Sequence, residues 1–490
     1  MGESISSRTG DSVISLALDT ISKKKQALVF VNTKRSAEKA AEDISNKIKR
    51  PDAGLSALSD KILKSLSRPT RQCERLARCV KRGIAFHHAG LHSAQKRLIE
   101  DAFRNGVIKI ICCTPTLAMG IDLPAFRTII RDVRRYGSQG LDEIPVLEYL
   151  QMAGRAGRPR FDTFGESIAI ARTDTDKDFL VERYLLGEPE EITSKLAVEP
   201  VLRTYLLSLI ASKIINSEDE IIDFFSRTFW AFQYHNISRL NQTIDKILNQ
   251  LIAWGFLVQV QDVFRATTLG KRIAELYIDP LTAYGFLQGL ERAKNIALKH
   301  ISFLQLVSNT LEMRPLLRVK TREFDEVQEE VASSQPYLLQ LEPNMFEHEY
   351  EDWLSSFKTA LMFKDWTDEK DEEYLLEHYD IRPGETRGKL EIADWLLYAL
   401  SELARIQKLP VLKDIKKTRF CLKYGVKEEL LPLVRLKNIG RVRARKLFKV
   451  GIKNLEDIRN ASFLKLSQLL GPAVAKSIKE QLGQGISFKR

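Results

Sequence analysis

Two arginines three residues apart, Arg155 and Arg158, stand among small residues in Gln151-Met152-Ala153-Gly154-Arg155-Ala156-Gly157-Arg158-Pro159. Helical side chains at that spacing share a face. Guanidiniums offer phosphate a rigid fork of donors, so the pair suits a polyphosphate that the glycines let come close. Arg/Gly-rich turns also occur as solvated loops or general nucleic-acid patches, and the nonamer alone does not separate these readings. Upstream, the apolar run Ile108 to Cys112 feeds Cys113-Thr114-Pro115-Thr116-Leu117-Ala118-Met119-Gly120-Ile121-Asp122-Leu123-Pro124, a strand entering a hydroxyl-rich turn. Backbone N–H groups at a helix start, with the Thr114 and Thr116 hydroxyls, can grip a phosphate, and Gly120 and Asp122 lie where the chain turns back toward a nucleotide.

A scaffold must aim these groups at one place. Ala27-Leu28-Val29-Phe30-Val31 reads as a fully buried strand, closed by Asn32-Thr33 and followed by a helical run from Ser36 to Ile48. Residues 1 to about 25 before it read as a polar, hydroxyl-rich lead. Short apolar runs recur at Ile84 to Phe86, Ile108 to Cys112, Thr128 to Ile130 and Ser167 to Ala171, with helix-period segments between them. Such alternation predicts a parallel sheet covered by helices, with ligands at the carboxyl ends of its strands.

The two turns together resemble motifs V and VI of superfamily 2 helicases. QMAGRAGRP with TPTLAMGIDLP is similar to the Ski2-like branch, and within it to the archaeal Hjm-type DNA repair helicases, relatives of the helicase part of the eukaryotic theta-class polymerases. Asp122 departs from the Asn expected in that family, although Asp is usual in the wider superfamily. FVNTKRSAE resembles motif IV and HHAGL the segment after it. The resemblance implies that residues 1–193 form the second RecA-like domain of an ATP-dependent 3′-to-5′ DNA helicase. Arg155 and Arg158 would then act as arginine fingers on the γ-phosphate, Gln151 would position them and the nucleotide, and Gly120 and Asp122 would couple nucleotide state to strand grip. Thr114 would hold a strand phosphate. His87, His88 and His92 have no carboxylate or thiol beside them in sequence to complete a metal site, so packing or hydrogen bonding is the expectation.

Between the two motifs, Arg131 to Pro145 has turn residues at its centre and can form a β-hairpin or an ordinary connecting turn. In the resembled family a hairpin here parts the duplex, which would let Tyr136 stack on the last base pair. Residues 194–280 turn helical (Val201 to Ile210, Glu218 to Phe225, Ile237 to Trp254) before two short strands within Phe256 to Thr267, the pattern of a winged helix with few basic residues on its helices. Its expected role is packing on the motor. Residues 281–405 are helical with an acidic middle, and by position resemble the ratchet domain, where an aromatic and an arginine enter between bases. Trp395 and Arg387 are the candidates, although Trp395 also has the apolar neighbours of a core residue and its spacing of eight from Arg387 exceeds two helical turns. Residues 406–490 resemble a helix-hairpin-helix domain. There the turn Asn438-Ile439-Gly440 would present N–H groups to a DNA phosphate, with Arg441 and Arg443 adding charge. Asn438 replaces the usual first glycine and is, after glycine, the side chain best suited to positive φ. Gly471-Pro472-Ala473-Val474-Ala475 repeats the Gly-x-x-x-Ala spacing of Gly440 to Ala444, a fainter second hairpin.

The chain of 490 residues has length for several domains, and Lys+Arg 76 against Asp+Glu 64 gives +12. The surplus is local: Arg405 to Lys449 holds fifteen basic and three acidic side chains, the footprint of a polyanion partner or a solvated basic face. Five cysteines without C-x-x-C or zinc spacing read as reduced thiols of an intracellular, cytoplasmic and nucleoid-associated protein. There is no bilayer-length apolar stretch, and the short Met1-Gly2…Ser6 match to a myristoylation pattern stands alone. No G-x-x-x-x-G-K-[ST] occurs in these residues, so ATP and Mg would be held mostly by a first RecA-like domain supplied in cis or in trans. The expectation is therefore the carboxyl-terminal part of a monomeric helicase acting on single-stranded and forked DNA, inactive without that partner domain. A non-hydrolytic DNA-binding or regulatory protein and a Ski2-like RNA helicase are the alternatives.

Overall fold

The computed structural model describes residues 10–48, 53–66, 68–137, 140–158, 162–196, 198–234 and 237–484, with backbone only for 53, 136, 137, 140, 141 and 237–239. The chain forms two compact units: Met1–Ile192 with Glu372–Arg387, and Thr193–Asp371 with Gly388–Arg490.

In the first unit, β1 (Ala27–Phe30), β2 (Ile84–His87), β3 (Ile110–Cys113), β4 (Arg127–Ile130) and β7 (Glu166–Ala169) make one sheet in the order β2-β3-β1-β4-β7, parallel throughout. Strands β1 to β4 are buried along their whole length, which is why they read as unbroken apolar runs rather than as alternation. The register sets Phe30, Cys113 and Ile130 side by side, with His87 beside Cys113 and Ala169 beside Ile130. The residues that follow, Asn32, His88, Thr114 and Arg131, therefore leave the sheet along one edge. Between β4 and β7, β5 (Arg134–Gly137) and β6 (Gly140–Glu143) pair antiparallel as the expected hairpin.

Helices α1 (Ser12–Ser22), α2 (Lys34–Lys47), α3 (Ser56–Leu63), α4 (Arg71–Val80), α5 (Ser93–Arg104), α6 (Thr116–Gly120), α7 (Val146–Ala153) and α8 (Asp174–Leu180) complete the layers. The polar lead expected before β1 contains α1, capped by Asp11, whose carboxylate accepts from Val13 N at 2.8 Å. Val13, Ile14, Leu16 and Ala17 of α1 are buried. Arg127 in β4, 1 % exposed, fixes that helix: its Nη1 donates to the Leu16 carbonyl and the Asp19 carboxylate at 2.9 Å and to Thr20 Oγ1 at 2.8 Å.

Residues 372–387, expected within the helical domain that starts at 281, belong to the first unit. They comprise the helix Glu372–Tyr379 and the first turn of the helix Pro383–Ile406, set against the loop that follows β2. Gly384 N donates to the Gly90 carbonyl at 3.0 Å. A Cβ on Gly384 would lie 2.3 Å from the Leu91 carbonyl oxygen, and one on Gly90 would lie 2.3 Å from Arg382 Cδ. Only glycines allow this approach. Arg382 then reaches the buried Glu38 carboxylate of α2 at 3.3 Å.

The second unit opens with helices Glu199–Ala211, Glu218–Ser226 and Ile237–Ala253, followed by the antiparallel pair β8 (Leu257–Val260) and β9 (Val263–Ala266) and the helix Thr268–Leu276. Arg203, 3 % exposed, holds Asp279 in a two-pronged pair at 2.8 and 2.9 Å. A helical region built on Pro280–Arg292, His300–Ser308, Tyr350–Thr367 and the rest of the helix ending at Ile406 follows. The carboxyl-terminal helices carry a core of their own, including Leu430, Leu433, Ile439, Ala444, Leu447, Ile458 and Ile478.

Candidate functional site: the strand-end edge of the parallel sheet

Thr114 sits where β3 leaves the sheet, and its hydroxyl lies 3.0 Å from that of Thr116 at the start of α6. Both border a cavity of about 520 Å³ at the strand-end edge, together with Asn32, Thr33, Lys34 and Arg135. Asn32 and Thr33 end β1; the Thr33 hydroxyl accepts from Ser36 N at 3.0 Å and so caps α2. Lys34, Arg35 and Arg135 were not singled out from the sequence, although Lys34 and Arg35 stand inside FVNTKRSAE; what was missing was the register that brings β1 beside β3.

Each cation on this cavity has a carboxylate. Arg135 Nη1 meets Glu148 at 2.9 Å, Arg382 Nε meets Glu38 at 3.3 Å, Arg35 Nη2 meets Asp380 at 2.9 Å, and Lys34 meets Glu385. Glu38 also accepts from Gln72 at 2.8 Å, from His88 Nε2 at 3.2 Å and from Arg75. Burial works to raise its pKa, but the hydrogen bonds from His88 and Gln72 and the charges of Arg382 and Arg75 outweigh it and pull the group down to about 2. His88, stripped of water, is pushed the other way, toward neutrality. Its Nε2 donates to Glu38 while Nδ1 accepts from Gly90 N at 3.1 Å, so one neutral tautomer uses both ring nitrogens. His87 pairs with Glu100 at 2.9 Å, and His92 Nδ1 accepts from Ala94 N to cap α5. The three histidines thus hydrogen-bond within the fold, and among the described residues no group of His, Cys, Asp and Glu side chains clusters as metal ligands would.

The arginine turn lies against the threonine turn. Arg155 Nε and Nη2 both donate to the Ala118 carbonyl, and Nη1 reaches Asp122 at 3.2 Å. Backbone bonds repeat the link: Ala125 N donates to the Arg155 carbonyl at 2.9 Å, and Gly157 N, at φ 92°, donates to the Ala125 carbonyl at 2.7 Å. Gln151, Gly154, Gly120 and Asp122 are each exposed. Arg158 points elsewhere: it holds Asp162 at 2.7 Å and the Gln26 amide oxygen at 2.7 Å. The two arginines do not share one face; the helix α7 ends at Ala153, before either of them.

The hairpin is rooted on the same edge, with Asn32 Nδ2 donating to the Arg134 carbonyl at 3.1 Å. The Tyr136 side chain, with residues 138 and 139 of the tip, lies outside the described residues. Of the helical candidates, Arg387 is exposed and belongs to the first unit. In the second unit Trp395 is half-buried, and its indole N–H donates to the Leu276 carbonyl at 3.0 Å. In the carboxyl-terminal turn Asn438 has φ 70° and Gly440 has φ −96° as the residue before the helix Arg441–Lys449, so the asparagine takes the left-handed position. Arg443 is exposed, with Nη1 on the Asn438 carbonyl at 2.9 Å. Arg441 is held inside its unit, over the Trp366 ring at 4.4 Å and on the Lys370 carbonyl at 2.8 Å.

The parallel sheet with its threonine turn latched to the glycine-arginine turn makes an α/β domain, and the helicase conserved C-terminal domain profile matches residues 61–160, across both turns. Further profiles match in order: a helix-turn-helix domain over 165–258, archaeal helicase domain 4 over 301–425, and a SAM-like helix-hairpin-helix tandem over 430–484. The chain belongs to the Hel308 family of ATP-dependent DNA helicases. It is 37% identical to the Methanococcus vannielii protein of that name over 98% of its own length and 69% of the relative's. The corresponding figures are 36%, 97% and 65% for the Methanocella arvoryzae protein, and 37%, 96% and 66% for that of Pyrococcus horikoshii. The tandem profile also spans the fainter second hairpin, where Gly471, at φ 88°, precedes the helix Pro472–Gln481.

Proposed function

We propose that this chain is the strand-gripping and coupling part of an ATP-dependent 3′-to-5′ DNA helicase that unwinds forked duplexes in repair or replication restart. The observation that carries the reading is the latch between the two turns, in which Arg155 joins Ala118 and Asp122 beside the cavity that Thr114 borders. A change at the nucleotide edge is felt at the strand edge through a few rigid bonds.

The residues fit ATP bound against a facing motor domain. Gln151, Gly154 and Asp122 are exposed, and Arg155 would exchange the solvent-exposed Asp122 for a phosphate. Mg-ATP, when bound, would supply a γ-phosphoryl group whose charge Arg155 would neutralise, joined by Arg158 once it leaves Asp162. A first RecA-like domain, in cis or in trans, would provide the phosphate loop and the metal carboxylates; a monomer so completed is the working form. Thr114 and the cavity cations would hold the tracking strand, and the hairpin β5–β6 would part the duplex with Tyr136 at its tip. Residues 194–280 would act as a winged helix and the second-unit part of 281–405 as the ratchet, with Trp395 against bases, while Arg387, in the first unit, would be a strand contact of that unit. Asn438, Gly440 and Arg443 would meet the backbone of the strand leaving the motor, with Arg441 chiefly fixing the position of that turn.

The test is Arg155→Ala and Arg158→Ala in the enzyme completed with its phosphate-loop domain. Arg155→Ala is expected to lower ATP turnover by ~10³-fold with strand binding retained. Arg158→Ala is expected to do the same only if its guanidinium leaves Asp162 during turnover. Unchanged turnover in both variants would sink the finger assignment.

A further inference from the structure

The four cations on the strand-end cavity divide by how their carboxylates are kept. Glu148 and Glu38 are 5 % exposed and belong to the packed interior, whereas Glu385 and Asp380 are 27 % and 39 % exposed. An ion pair of the second kind is the weaker, because water reaches both partners. Both partly exposed carboxylates come from one short segment, residues 380–385, which the Gly90–Gly384 approach holds against the loop after β2. Lys34 and Arg35, the cations they cover, lie in the first turn of α2 on the cavity that Thr114 borders.

We propose that Lys34 and Arg35 are phosphate sites for the tracking strand, and that Glu385 and Asp380 guard them by standing where the phosphates bind. The proposal rests on the reading of this cavity as the strand grip. Strand entry exchanges two carboxylate partners for two phosphates. The Arg382–Glu38 pair, buried and supported by His88, Gln72 and Arg75, stays in place, so the segment is loosened at Asp380 and Glu385 without being released. Binding is thereby made weaker and less salt-dependent than the bare cations would give, which suits a grip that must let go at each step.

The experiment compares Asp380→Asn/Glu385→Gln with the unaltered full chain in binding a fluorescent oligothymidylate over a range of salt concentrations. The isosteric double variant is expected to bind ~3- to 10-fold more tightly. Its log-affinity against log-salt slope should steepen by up to ~0.7 for each phosphate that no longer displaces a carboxylate. Asp380→Asn alone, at the more exposed position, should show about half the effect and serves if the double variant melts early. Equal or weaker binding by the variants, with Lys34→Ala/Arg35→Ala still weakening it, overturns the guard and leaves the grip. Binding that is unchanged in Lys34→Ala/Arg35→Ala overturns both.

Discussion

Burial works to raise the pKa of Glu38; His88, Gln72, Arg382 and Arg75 outweigh it and hold the group ionised, with its pKa at about 2 against an ordinary 4.5. A depressed carboxyl stabilises the fold above its ordinary pKa and loses that contribution as pH falls through the folded value. The unaltered protein should therefore show an acid-sensitive component of stability that fades from pH 4.5 toward pH 2. Glu38→Gln should remove that component and cost about 3 kcal/mol in urea unfolding at neutral pH, because the buried Arg382 loses its carboxylate while Arg75 keeps only Glu42. An identical acid profile in the variant would show that other carboxylates dominate. At this scale the sequence was legible where a backbone rule applied, as with Asn438, whose side chain tolerates the left-handed turn it occupies. It was opaque where partners are distant. Nothing near His88 in sequence announces Glu38, and Arg382 lies 344 residues from that carboxylate.

Among elements, the helix Pro383–Ile406 carries Trp395 in a setting between core and platform: it is neither fully buried nor exposed, and its N–H is spent on Leu276. Base stacking on an aromatic is worth ~1–3 kcal/mol per base. Trp395→Ala is expected to reduce duplex unwinding about tenfold or more while the melting temperature moves by only a few degrees; a collapse of melting temperature would mark the indole as packing alone. The strands of the parallel sheet were readable as apolar runs, since burial on both faces removes any alternation. Helix α1 was not, because the hydroxyl-rich residues ahead of it coloured the reading of the whole stretch, although six of its eleven residues are buried and its anchor, Arg127, comes from β4. Arg155 and Arg158 were read as one helical face, but α7 stops before them and their guanidiniums diverge.

For the molecule as a whole, charge was the broadest sequence signal and also the coarsest. Several cations of the basic stretch from Arg405 to Lys449 are engaged internally: Arg419 with Asp394, Arg445 with Glu369 and Glu429, Lys417 with Glu428. Arg443, Lys446 and Lys449 are left facing water. The 490-residue chain is expected to bind single-stranded DNA yet turn over no ATP, with or without DNA, until a phosphate-loop domain is added. DNA-stimulated hydrolysis that Arg155→Ala abolishes would reveal a second nucleotide-gripping element within these residues. The fold also bears on how such a protein can be cut. Residues 372–387 complete the first unit from the far side of a long insertion, and bring Leu375 and Ile381, both almost fully buried, to its surface. A fragment ending at 192 would bare apolar patches and take Glu385 from Lys34, Asp380 from Arg35, and Glu373 and Glu377 from Arg71 at the start of α4. The smallest faithful excision of this unit is a spliced one, with 372–387 returned through a short flexible linker.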